Sequence, residues 1–295
     1  IGLSYSEARE AVRASSVFTT HTPVPAGNEE FDVELIRYHF ESFVQNIGIT
    51  FEQLLELGLD HENEQKNKFS MTVLALKLTS HANAVSKLHG TVSRKMWKHV
   101  WHGINENEIP VVSITNGVHV ASWIGQDVKH LYESTTDIHL EKDSDNVSSW
   151  SKIGMISNEQ IWAAHKKQKE LLLEYVRKQI IHEYGRRGED PKFIKQTLGG
   201  IHPDALTIGF ARRAAPYKRA HLLFYDLQRL VRILNQSDMP LQIIMAGKSH
   251  PADGKGKDII KEIMNAIRDK QLQGKVIFLE NYNMALSRKL VQGVD

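Results

Sequence analysis

Residues 206–291 alternate short apolar runs with stretches of helical spacing, and this pattern constrains the fold more than any other feature of the chain. The runs at 206–210, 241–246 and 275–279 have the length and β-branched character of strands. The stretches at 217–234, 258–268 and 284–291 place apolar residues at the spacing of amphipathic helices. A strand that is apolar throughout is one buried on both faces, and strands alternating with helices are connected as a parallel sheet between helical layers. The expected class is therefore α/β. In such sheets ligands bind at the carboxyl ends of the strands, which directs attention to the loops after Phe210, Ala246 and Leu279.

The remainder of the chain is less regular. Helical spacing at 6–14 precedes a β-rich run at 16–20, which feeds His21-Thr22-Pro23-Val24-Pro25-Ala26-Gly27-Asn28. The prolines and glycine keep that segment out of regular structure. Helical spacing returns at 31–44 and 51–57. An apolar stretch at 71–78 leads to Ala84-Val85-Ser86-Lys87-Leu88-His89-Gly90, with a helix expected at 92–100. A short buried-type strand at 110–114 runs into the turn Thr115-Asn116-Gly117-Val118-His119. Residues 137–151 are rich in Asp, Ser, Lys and Asn and read as an exposed connection. The longest helical pattern spans 158–184, ended by Gly185 and Gly188, with a short helix near Phe193. Ile1-Gly2-Leu3-Ser4 enters a helix directly, and residues 290–295 stop as if another strand were about to begin. Both ends are expected to be cuts through a longer chain.

Composition removes several classes of function. A formal net charge of +2 over 295 residues provides no global field for nucleic acid or an anionic membrane. The absence of cysteine excludes disulfides, thiolate metal sites and cysteine nucleophiles. His99 and His102 share a face of the expected helix, but no third ligand stands at a motif spacing, and no metal site is expected. No signal peptide or membrane-spanning run is present, so the cytoplasm is the expected compartment.

Any anion site must then be local, and the sharpest candidate is Phe210-Ala211-Arg212-Arg213-Ala214-Ala215-Pro216-Tyr217-Lys218-Arg219. Its cations lie between an expected buried strand and an expected helix start, with Pro216 where a first-turn proline is tolerated. A helix N-terminus favours phosphate, Arg213 can add a bidentate fork and Lys218 a point charge. A solvated basic helix start is the alternative reading. Gly247-Lys248 follows the next strand; Gly247 permits close backbone approach, although no complete P-loop pattern is present. Gly254 and Gly256 read as a flexible surface turn. His21 and Asn116 follow strands in turn segments, and by themselves read as ordinary loop residues.

In combination these segments resemble the shorter bacterial and archaeal α-glucan phosphorylases. The resemblance is carried, in order, by 17–28, 84–90, 114–119, 209–219, Gly247-Lys248 and Phe278-Leu279-Glu280-Asn281-Tyr282. It implies a GT-B architecture of two Rossmann-like domains, with residues 1–118 ending the first and 119–295 beginning the second. It further implies phosphorolysis of terminal α-1,4-glucosidic bonds to α-glucose 1-phosphate, with α-glucan and inorganic phosphate as substrates. Pyridoxal phosphate is the implied cofactor, its phosphate group relaying a proton. By motif position Arg213 and Lys218 bind the substrate phosphate, Arg212 neutralises the cofactor phosphate, His21, Asn116 and Tyr217 hydrogen-bond the glucose, and Tyr282 packs near the cofactor. An assembly of identical chains is compatible with the family.

Ala215-Pro216 replaces the His-Glu pair that animal-type members carry, so their regulatory sites are not carried over. The family's cofactor-binding lysine belongs to a motif beyond Asp295, and the 295 residues alone are expected to be inactive. Two rival readings stay open: a nucleotide-sugar-dependent GT-B glycosyltransferase, which shares the Arg-then-Lys spacing, and a non-catalytic glucan-binding fragment.

Overall fold

The computed structural model describes residues 2–21, 24, 27–59, 68–136, 138–143, 145–251 and 253–295. The chain divides into two compact units, Ile1–Val118 and His119–Asp295.

In the first unit α1 (Tyr5–Ser15) starts at a capping box between Ser4 and Glu7 and leads into β1 (Val17–Thr20). There follow β2 (Glu30–Asp32), α2 (Val33–Asn46), α3 (Phe51–Gly58), β3 (Lys68–Ser70), α4 (Met71–Lys77), β4 (His81–Ala84), α5 (Lys87–Met96) and β5 (Val111–Ser113). Strands β1, β4 and β5 form a parallel sheet in the order β1-β4-β5. Phe18, Ala82, Ala84 and Val111 pack from its face against Val73, Leu76 and Trp97.

Two expectations change here. Phe31 is not helical but pairs with Phe69 in the antiparallel β2–β3 ribbon, so α2 begins at Val33. The cross-strand aromatic pair outweighs the helical spacing. The helix expected at 92–100 starts earlier, where the Ser86 side chain accepts from the His89 amide, and gives way to a 3-10 turn at Lys98–Val100. His99 and His102 therefore share no helix face.

The second unit opens with α6 (Val120–Trp123), α7 (Gln126–Thr136), α8 (Leu140–Asp143) and α9 (Val147–Trp150). The expected exposed connection is thus partly helical, and it buries Ile138 and Leu140. Its polar composition conceals these anchors; Asp137 and Ser144 lie outside the described residues. α10 (Asn158–Arg186) is capped by Ser157 and Gln160 and buries Leu172, Val176, Ile180 and Tyr184 along one side. Gly185 lies inside its last turn, and the reversal falls at Gly188, whose φ of +69° suits glycine. α11 (Pro191–Gly199) follows with Asp190 as N-cap.

Then come β6 (Leu206–Ala211), α12 (Leu227–Leu234), β7 (Leu241–Ala246), α13 (Gly254–Ile267), β8 (Val276–Leu279) and α14 (Met284–Gly293). The strands form the expected parallel sheet, ordered β6-β7-β8. Alternation along the strands sorts the core: Ile244, Ala246, Ile277 and Leu279 face α10 and α14, whereas Ile243, Met245, Val276 and Phe278 face α12 and α13. β6 is not a fully buried strand, because Leu206 and Ile208 are exposed. At its outer side the Asp295 amide donates to the Thr207 carbonyl (3.0 Å), and the Asp295 carboxylate accepts from the Thr207 amide (2.7 Å) and from buried Lys169 (2.6 Å). Burial alone would raise the Asp295 pKa, but Lys169, the Thr207 amide and His165 outweigh it and hold the carboxyl below its ordinary value.

Candidate functional site

Beyond β6 and β7 the backbone continues as two adjacent segments. The Arg212 amide donates to the Ala246 carbonyl (3.1 Å), and the Ala214 amide donates to the Lys248 carbonyl (2.9 Å). Gly247 admits this approach, since a Cβ there would stand 3.1 Å from the Arg212 carbonyl oxygen. On the other side α13 begins where Asp253 accepts from the Gly256 amide (2.9 Å), and Ser249 Oγ donates to the Asp253 carbonyl (3.1 Å). Gly256 is buried against the Ala214 carbonyl, so the expected flexible turn at Gly254 and Gly256 is instead the first turn of a helix braced on the cationic loop. The signal for this was Asp253 standing three positions before Gly256, the spacing of an N-cap.

The helix expected at 217–234 is interrupted. Pro216–Lys218 forms one 3-10 turn, Arg219 is left-handed at φ 55°, Ala220–Phe224 forms another 3-10 segment, and only then does α12 begin. No α-helix starts within 212–219, so the loop's own contribution toward an anion rests on its side chains. Arg212, Arg213, Arg219 and Lys248 are exposed. Lys218 is half-buried with its Nζ 4.6 Å from the centre of the Tyr217 ring. None of these cations makes an ion pair among the described residues. Clustered like charges without counter-ions repel, and an anion placed among them relieves that repulsion.

The carboxyl end of β8 is different. Glu280 pairs with Arg186 (3.1 Å) and with Arg187, so both arginines have a carboxylate partner. The Glu280 amide donates to the buried Glu183 carboxylate (2.7 Å), whose pKa burial raises above the ordinary value. Among the described residues at the three strand ends of this sheet, the cations without a carboxylate partner therefore stand on the β6 and β7 loops. Tyr282 is half-buried, with its ring against the α10–α14 core and its hydroxyl 3.2 Å from Ser287 Oγ.

In the first unit His21 and Asn116 are exposed and follow β1 and β5, which flank β4, so both lie at the carboxyl edge of the same sheet. The Asn116 amide donates to the Val85 carbonyl (3.1 Å). Thr22, Pro23, Pro25 and Ala26 of the His21 loop lie outside the described residues. The structure thus gathers Arg212, Arg213, Tyr217 and Lys218 on one loop beside Lys248, while His21 and Asn116 belong to the other unit. Among the described residues no group of His, Cys, Asp or Glu is placed to hold a metal ion, and no helix is long and apolar enough to cross a membrane.

Parallel sheets covered by helices, with cations lacking carboxylate partners beyond adjacent strand ends, define an α/β protein with positive charge concentrated at one sheet edge. The model of the carbohydrate phosphorylase family matches residues 1–295. The chain belongs to that family. It is 37% identical over 294 residues to maltodextrin phosphorylase of Thermococcus litoralis, covering 100% of this chain and 34% of the relative. It is 38% identical over 295 residues to glycogen phosphorylase of Aquifex aeolicus, covering 100% of this chain and 42% of the relative. The liver form of human glycogen phosphorylase is 21% identical over 319 residues, with 99% of this chain and 36% of that protein covered. The chain therefore spans less than half the length of these relatives.

Proposed function

We propose that the protein containing this chain is an α-glucan phosphorylase, a hexosyltransferase that cleaves terminal α-1,4-glucosidic bonds with inorganic phosphate to give α-glucose 1-phosphate. The observation that carries this reading is the set of unpaired cations at the carboxyl ends of β6 and β7, in a chain that belongs to the carbohydrate phosphorylases. The two units are then the end of the first and the beginning of the second Rossmann-like domain of a GT-B architecture.

Arg213 and Lys218 bind the attacking phosphate, the first by a planar fork and the second as a point charge. Tyr217, His21 and Asn116 present hydrogen-bonding groups to the glucose being transferred. Arg212, one position from Arg213 beyond the end of β6, offsets a second phosphate. The donor set fits a phosphate ester such as pyridoxal phosphate: guanidinium and ammonium groups uncompensated by protein carboxylates. Pyridoxal phosphate, when bound, supplies a phosphate that exchanges a proton with the substrate phosphate. Tyr282 is held by core packing at the neighbouring strand end, where it can line the cofactor. Clustered cations stabilise the several phosphate charges that this chemistry brings together.

The test is to incubate the intact protein with maltodextrin and inorganic phosphate and assay α-glucose 1-phosphate. Its phosphate-dependent formation is expected. Glucan extension from a nucleotide sugar without phosphorolysis, or glucan binding without turnover, would replace this reading by one of its rivals.

A further inference from the structure

His89 is buried in the first turn of α5, and its ring makes a single hydrogen bond among the described residues: Nδ1 accepts from the Val85 amide at 3.3 Å. Nε2 is buried and has no partner there. An imidazole nitrogen that accepts an N–H carries no proton, so neutral His89 holds its proton on Nε2. The Val85 N–H belongs to the Ala84–Val85 peptide; the carbonyl of the next peptide, that of Val85, accepts from the Asn116 amide at 3.1 Å. The Ile114 amide likewise donates to the Ala84 carbonyl (2.9 Å), so the β5 extension is held to the β4 extension by main-chain bonds. Both extensions lie beyond the regular ladder. Next to His89, Gly90 brings α5 against β5: a Cβ there would stand 2.0 Å from Ser113 Oγ.

We infer that His89 is a positioning residue: through Nδ1 it fixes the Ala84–Val85 peptide, and through the adjoining Val85 carbonyl it sets the place of Asn116. This rests on the reading of Asn116 as a glucose-contacting residue. His89 does not touch the sugar itself. Losing one hydrogen bond of this kind, net of solvent, corresponds to about a three- to tenfold effect on the step it supports.

The experiment uses the intact phosphorylase and follows kcat and KM for maltodextrin. Asparagine places its Oδ1 where His89 has Nδ1, whereas glutamine matches the ring better in reach but offers no acceptor there. His89→Ala and His89→Gln are expected to lower kcat/KM by about three- to tenfold, and His89→Asn to recover most of that loss. Hydrogen–deuterium exchange at Val85 and Asn116 is expected to quicken in the alanine and glutamine variants and to return toward wild type in the asparagine variant. In an Asn116→Ala background the His89→Ala effect is expected to vanish.

If Asn116→Ala is impaired while His89→Ala matches wild type, or if the two losses simply multiply, His89 does not act through Asn116. Equal recovery by glutamine and asparagine would also overturn the inference, because filling the space would then be enough. If Asn116→Ala is itself fully active, the glucose-contact reading fails first and takes this inference with it.

Discussion

The carbonyl oxygen of Ala214 stands 2.4 Å from the position a Cβ would occupy on Gly256. The first turn of α13 is thereby pressed against the loop that carries Arg212, Arg213 and Lys218. Gly256→Val must displace one or the other, at a cost of about 1–3 kcal/mol. The expected outcome is a lowered melting temperature together with a raised KM for phosphate in the intact enzyme. A normal phosphate KM would show that the brace does not set the cations.

Arg213→Ala and Lys218→Ala are each expected to remove charge-assisted bonds worth about 1.5–3 kcal/mol in phosphate binding, with a larger loss in turnover. Steady-state rates with phosphate varied and glucan saturating provide the check. Near-normal phosphate affinity in both variants would remove these residues from the site.

Lys169 and Asp295 form a buried pair, with side chains 4% and 8% exposed. Lys169→Met leaves the carboxylate buried without its cation, and about 3 kcal/mol of destabilisation is expected in chemical denaturation. Because the folded Asp295 pKa lies below its ordinary 3.8, the stabilisation is present above that value and disappears as pH falls through the folded one. The methionine variant should therefore lose less stability on acidification than the wild type.

Glu183 behaves in the opposite sense. Burial raises its pKa above the ordinary 4.5, with the Glu280 amide opposing and the Glu280 carboxylate adding to the rise. Its contribution is full below 4.5 and is lost as pH climbs through the raised value. Glu183→Gln keeps an acceptor for the Glu280 amide and abolishes that loss. Melting temperatures from about pH 4.5 to neutrality should fall less steeply in the variant. A parallel pH profile in both proteins would count against this.

The sequence by itself determined the α/β class, the strands that make the second sheet, and the loops that carry the candidate cations. These follow from local rules: strands buried on both faces are continuously apolar, amphipathic helices repeat every few residues, and arginines and lysines are visible wherever they stand. The order of motifs along the chain also sufficed to identify the phosphorylase family. What the tertiary structure decided depends on contacts between residues far apart in sequence. Phe31 became a strand residue because Phe69 lies opposite it, and Gly256 became a buried brace because Ala214 lies against it. The helix expected from Tyr217 gave way at Arg219, whose left-handed backbone no periodicity reveals. His89 read as one residue within a motif, and its link to Asn116 exists only where two parallel strands end side by side. Periodicity reports which face of an element is apolar; which backbone carbonyl lies beneath that face is settled only when the strands pair.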